Sequence, residues 1–129
     1  MKEVYHKSAI RQFVFETESW LRCLAFISQE NNYYKNRLAE MVMESDSYAD
    51  LQTAEKIQEM LLSEDVVISF LKTELIKHSN LMQRDTKGDG QLLDEAVKKQ
   101  LSLRNDIRNA EQLFIHIKEA FSDYVNDHY

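Results

Sequence analysis

The chain has 129 residues, enough for one domain with a hydrophobic core but too few for two comfortable domains. Hydrophobic residues make up 43% and charged residues 29% of it, which is typical of a globular rather than a disordered chain. The net charge of -6, without a basic stripe, argues against nucleic acid and membrane as direct partners. The lone Cys23 cannot form an internal disulfide, and no apolar run reaches membrane-spanning length, so we expect a cytoplasmic protein.

Two short segments interrupt an otherwise helix-forming sequence. The chain has no proline, and its two glycines both lie within the segment 85–90. In the other segment, 45–50, Ser47 and Asp50 have the spacing of an N-cap residue and its N3 partner. The sequence therefore predicts helices at about 8–44, 48–84 and 91–126. Their similar lengths favour a single domain, an all-α, antiparallel up-down-up three-helix bundle.

Helix 1 contains a seam whose positions are alternately three and four residues apart, a spacing typical of coiled-coil packing. The seam consists of Ile10, Phe13, Thr17, Trp20, Leu24, Ile27, Asn31, Tyr34, Leu38 and Met41. Three more aromatic residues, Phe15, Phe26 and Tyr33, lie off the seam and point within about 20° of one direction on a regular helix. They predict an aromatic stripe on the outer face of helix 1.

Helix 2 continues the same spacing. Its seam consists of Ala54, Ile57, Leu61, Glu64, Ile68, Leu71, Leu75, His78 and Met82. Leu62, Val66 and Phe70 lie off the seam with i, i+4, i+8 spacing and predict a second apolar outer surface. Because a capping serine followed by acidic residues can begin a helix, a break of helix 2 near Ser63 is an alternative.

The segment 85–90 resembles the start of a calcium-binding loop, with aspartates at positions 1 and 5 and a glycine at position 6. Lys87 at position 3 would repel the ion, and Ala96 at position 12 lacks the required carboxylate. We therefore interpret the segment as a turn. Gly88 is predicted to end helix 2 in a left-handed conformation, and Asp89 to cap helix 3.

Helix 3 completes the bundle with a third seam. Its positions are Leu93, Ala96, Gln100, Leu103, Ile107, Ala110, Phe114, Ile117, Phe121 and Tyr124. His116 falls outside the seam, and an exposed histidine on a helical bundle is also a feature of phosphorelay transfer domains. That family places lysine and glycine three and four residues after its histidine, whereas this chain has Glu119 and Ala120 there. A carboxylate would repel a phosphorylated imidazole, which argues against phosphotransfer.

The polar seam residues fall at matching levels when the chain is folded at its two turns. Asn31 is predicted to lie opposite Glu64, and Thr17 opposite His78, with Ala110 and Ala96 completing the two layers. Such layers often fix helix register and oligomeric state. A shared metal site is excluded because Glu64 and His78 are about 21 Å apart along the helix. A single-ion site using Glu74 and His78 stays an alternative.

The predicted architecture is similar to that of spectrin-type repeats, but no motif supports membership of that family, and fold alone does not transfer function. We expect no catalytic residue, cofactor or metal ion. The leading hypothesis is a non-enzymatic interaction or scaffold module that forms a homodimer, or binds another protein, through its outer apolar residues. The alternatives are a metal-binding or histidine phosphotransfer bundle, and outer residues that belong to a broader core or cover an unrecognised fourth helix.

Overall fold

The computed structural model describes the backbone of residues 2–84 and 90–128, and the side chains of residues 7–84 and 93–127. Within these ranges the chain forms three α-helices and no strand: α1 (Lys2–Glu44), α2 (Tyr48–Arg84) and α3 (Gly90–His128). Side-chain contacts place residue 35 beside 65, 78 beside 100, and 16 beside 104. Neighbouring helices are therefore antiparallel, and the predicted up-down-up three-helix bundle is confirmed.

The helix limits agree closely with the sequence pattern except at the start of α1. That helix begins at Lys2 rather than near residue 8, because no glycine or proline interrupts the preceding residues. The alternative of a break near Ser63 is wrong, since α2 runs without interruption from Tyr48 to Arg84. The roles predicted for Gly88 and Asp89 fall on residues outside the described ranges.

The first turn is closed by the capping interaction that the sequence predicts. Ser47 Oγ accepts a hydrogen bond from the backbone N–H of Asp50 at 3.4 Å, and its carbonyl accepts one from the N–H of Leu51 at 3.1 Å. Ser45 Oγ donates to the carboxylate of Asp50 at 3.4 Å. These bonds satisfy N–H groups that have no partner inside the helix, and they fix where α2 begins.

The core consists of two hydrophobic clusters along the bundle axis. One is built around Leu24, Leu71 and Ile107, and the other around Leu38 and Ile57, each with contributions from all three helices. Along α1 and α2, the buried polar residues Asn31 and Glu64 lie between the two clusters. Within the described residues, no helix has the length and apolar character needed to cross a membrane.

Candidate functional site

A buried polar network joins all three helices near one end of the bundle. His78 Nε2 of α2 lies 2.7 Å from Gln100 Oε1 of α3. Gln100 Nε2 in turn donates to the carbonyl of Phe13 at 3.3 Å and to the carboxylate of Glu16 at 2.8 Å, both in α1. Thr17 Oγ1 donates to the same Phe13 carbonyl at 2.8 Å. One glutamine side chain therefore links the polar residues of three helices.

These contacts determine the protonation of His78. Because Gln100 uses its amide nitrogen as a donor toward α1, its oxygen is the acceptor that faces the imidazole, so His78 Nε2 carries hydrogen and donates. Burial lowers the pKa of His78; the hydrogen bond with Gln100 opposes this effect, and the charge of Lys99 adds to it. The imidazole is therefore neutral at pH 7, with its proton on Nε2.

Glu16 anchors the outer end of this network. Arg104 of α3 donates to the Glu16 carboxylate at 2.7 Å, and its guanidinium lies 6.0 Å from the centre of the Trp20 ring. Burial raises the pKa of Glu16, but the hydrogen bonds from Arg104 and Gln100 and the charge of Arg104 outweigh it and lower the pKa overall. Glu16 is thus an ionised acceptor at neutral pH, and it holds α1 to α3.

The second polar layer is less well satisfied. Glu64 is fully buried, and both of its carboxylate oxygens lack a hydrogen-bond partner among the described residues, as does Asn31 Oδ1. Asn31 Nδ2 donates to Asp65 at 3.4 Å, and Asp65 also pairs with Lys35. Burial, followed by the charge of Asp65, raises the pKa of Glu64 to about 7. Protonation therefore lowers the cost of burying this carboxyl group.

The structure buries Thr17, Asn31, Glu64 and His78, but their hydrogen bonds differ from the predicted pairs. His78 bonds to Gln100 and reaches Thr17 only through Gln100 and a shared carbonyl. Asn31 bonds to the neighbour of Glu64 instead of to Glu64 itself. The difference arises because long side chains reach a full turn along a helix, which a count of Cα levels does not include. A polar residue in the helix 3 seam was the available signal for Gln100.

A cavity of about 350 Å³ lies beside His78. Its walls include Ile10 of α1, Glu74 and Met82 of α2, and Lys99 of α3. Lys99 donates to Glu74 at 3.1 Å, which neutralises this carboxylate. No group of three or more potential metal ligands occurs among the described residues, so the single-ion alternative has only Glu74 and His78 to supply ligands.

The other candidate reactive residues have ordinary surroundings. His116 is exposed, and its Nδ1 lies 4.0 Å from the carboxylate of Glu119, the residue whose charge argues against phosphotransfer. Cys23 is partly buried beside the first hydrophobic cluster. Burial, with a further contribution from Glu111, raises the pKa of the Cys23 thiol. This thiol therefore supplies less of the thiolate that a nucleophile needs.

The α1 stripe, formed by Phe15, Phe26 and Tyr33, lies in solvent as predicted. These side chains are 68%, 55% and 58% exposed, so the alternative that they belong to a broader core is wrong. The Phe26 ring meets Phe114 of α3 edge-on, with ring centres 6.3 Å apart. The α1 stripe therefore borders the outer groove between α1 and α3.

The α2 patch, formed by Leu62, Val66 and Phe70, is a separate surface. Its members are at least half exposed. Val66 and Phe70 line a surface hollow together with Asp106 and Asn109 of α3. The α2 patch therefore borders the groove between α2 and α3 and lies on the other side of α3 from the α1 stripe.

Comparison with known proteins gives no relative from which a function could be transferred. No family model matches the chain, and neither a curated protein nor a solved structure shows significant similarity to it. Function must be argued from the surfaces and polar layers themselves.

Proposed function

We propose that this chain is a non-enzymatic, cytoplasmic interaction module that forms a homodimer through the α1 stripe. The observation that carries the proposal is the exposure of three aromatic side chains along one face of α1, each more than half in contact with solvent. Single exposed apolar residues are ordinary on protein surfaces, but a line of aromatic residues marks an interaction site. Aromatic side chains are also the residues most enriched in protein interfaces.

The net charge of -6 favours a protein partner over nucleic acid or an anionic membrane. Because the α1 stripe and the α2 patch border different grooves, one flat partner surface does not cover both. We assign self-association to the α1 stripe because its aromatic rings offer the larger apolar area. The α2 patch is then available to a different protein, which gives the module a scaffold role.

Sedimentation velocity at matched protein concentrations tests the assignment. The test variant carries Phe15→Glu and Phe26→Glu, and the matched control carries Val66→Glu and Phe70→Glu, two changes of the same charge at similarly exposed positions. We expect wild type and control to sediment as dimers, and the test variant as a monomer. Circular dichroism establishes that all three proteins keep their helical fold.

Two results would overturn the proposal. A monomeric wild type across the concentration range would remove self-association altogether. A dimer that survives the α1 changes but dissociates with the α2 changes would move the interface to the α2 patch and contradict the assignment to α1.

A further inference from the structure

The α1 stripe is part of a longer outer seam with its own coiled-coil spacing. Starting from Phe15, successive positions are alternately four and three residues apart, and every one of them is exposed. The central members are Phe15, Ser19, Arg22, Phe26, Gln29 and Tyr33. This repeat keeps one line of residues facing a partner helix over several turns. α1 therefore carries one seam toward its own bundle and a second seam toward solvent.

The outer seam is complementary to itself when two copies run in opposite directions. If the residue numbers of facing positions add to 48, Phe15 faces Tyr33 of a second copy, and Arg22 faces Phe26. These are an aromatic pair and a cation over an aromatic ring, both favourable contacts. A parallel pairing would instead place each Arg22 against its own copy, where the like charges repel.

Neighbouring antiparallel registers are less complementary. A shift of one heptad in one direction places Tyr33 opposite Ser8, and a shift in the other places Phe15 opposite Glu40. In the register that adds to 48, each aromatic residue of the stripe faces an aromatic or cationic partner. The sequence of the outer seam therefore selects one register.

The apolar area available is consistent with a dimer interface. The three rings of the α1 stripe expose on the order of 300–400 Å² of surface, about half of the roughly 800 Å² per partner in a standard interface. On α3, the exposed Leu101 and Ile115 lie three residues before and eleven after Arg104, the residue that contacts α1. These spacings return to one helical face, so both residues extend the apolar surface beside the α1 stripe.

We propose that two copies pack α1 against α1 in antiparallel orientation, with the two-fold axis beside residue 24 and Arg22 of each copy over the Phe26 ring of the other. This inference rests on the proposed self-association and specifies its geometry. The interface is isologous, so the same α1 surface is used by both copies and the assembly closes as a dimer.

Cysteine cross-linking in a Cys23→Ala background tests the geometry. In this register Ser19 of one copy faces Gln29 of the other, so the variant Ser19→Cys with Gln29→Cys should form a disulfide-linked dimer under mild oxidation. The two copies of Ser19 are about 15 Å apart along the axis, beyond the reach of a disulfide. Ser19→Cys alone and Gln29→Cys alone should therefore remain uncross-linked on a non-reducing gel.

The outcomes separate the geometry from the association. Efficient cross-linking of Ser19→Cys alone would show a parallel pairing and overturn this inference. A protein that sediments as a dimer but cross-links in none of the variants would overturn the register while leaving the proposed self-association intact. A protein that sediments as a monomer would overturn both.

A charge reversal provides a second test of the same register. Arg22→Glu replaces the cation over Phe26 with a carboxylate, which the face of an aromatic ring repels, and we expect the dimer dissociation constant to rise at least tenfold. Arg11→Glu makes the same change of net charge at an exposed position off the outer seam and should leave the constant within about twofold of wild type. Equal effects of the two substitutions would contradict the contact between Arg22 and Phe26.

Discussion

Gln100 shows how much a single residue contributes to the polar layer of this bundle. Its side chain receives a hydrogen bond from His78 and gives one each to Glu16 and the Phe13 carbonyl. Gln100→Leu would leave the buried His78 N–H without a partner, which costs about 1–3 kcal/mol. We expect the free energy of unfolding, measured by urea titration, to fall by that amount.

A double-mutant cycle separates this loss from a simple change of packing. His78→Leu combined with Gln100→Leu replaces both partners by apolar groups, so the double variant should lose much less stability than the sum of the single changes. Additive losses would contradict an energetic connection between His78 and Gln100. All measurements use one protein concentration, because dimer formation would add to the apparent stability.

At the scale of single helices, the most direct test concerns the start of α2. Ser47→Ala removes the oxygen that accepts the Asp50 N–H, and we expect a loss of about 1 kcal/mol in the free energy of unfolding. Ser47→Asn keeps a capping oxygen and should stay within a few tenths of a kcal/mol of wild type. Equal losses in both variants would show that the serine hydroxyl itself, and not its capping bond, is required.

The elements were predictable because their signals repeat along the backbone. Every predicted seam position of α2 is buried, and α2 begins and ends at the residues that the turn signals indicate. Side-chain partners follow a different rule: the rotamer and length of Gln100 decide that it reaches His78, whereas Ala96 on the predicted level cannot form a hydrogen bond. Periodicity thus determines which residues face inward, but not which atoms pair there.

For the candidate surfaces, the sequence predicted exposure but not neighbourhood. The alternation of the helix 1 seam places Phe26 and Tyr33 outside it, which their exposure bears out. Which groove each surface borders depends on how the helices are arranged around the axis, and that became visible only from contacts such as Phe26 with Phe114. The separation of the α1 stripe from the α2 patch therefore required the tertiary structure.

At the scale of the whole molecule, the middle of the bundle combines two dry clusters with one poorly satisfied layer. The hydrophobic clusters on either side supply the apolar burial that stabilises the fold. Glu64, placed between them, opposes this stabilisation whenever it is ionised, because its oxygens have no partner among the described residues. The stability of the bundle should therefore depend on the protonation of one carboxyl group at its centre.

The direction of that dependence follows from the raised pKa of Glu64, about 7 in the folded chain against an ordinary value of 4.5. Between these values the folded state holds a proton that the unfolded state has released, so the contribution of Glu64 is greatest at low pH and is lost as the pH rises to about 7. The full difference corresponds to about 3 kcal/mol. His78 acts in the opposite sense, because its lowered pKa makes acid destabilising.

Glu64→Gln isolates the carboxyl group from this background, because the amide resembles the protonated acid and does not titrate. We expect wild type and variant to have similar free energies of unfolding at pH 5, and the variant to be more stable by about 3 kcal/mol at pH 8. Denaturant titrations of both proteins at the two pH values, at one protein concentration, measure the difference directly. Since His78 is present in both proteins, its titration cancels, and a stability difference that does not change between pH 5 and pH 8 would show that Glu64 is ionised in the folded chain throughout this range.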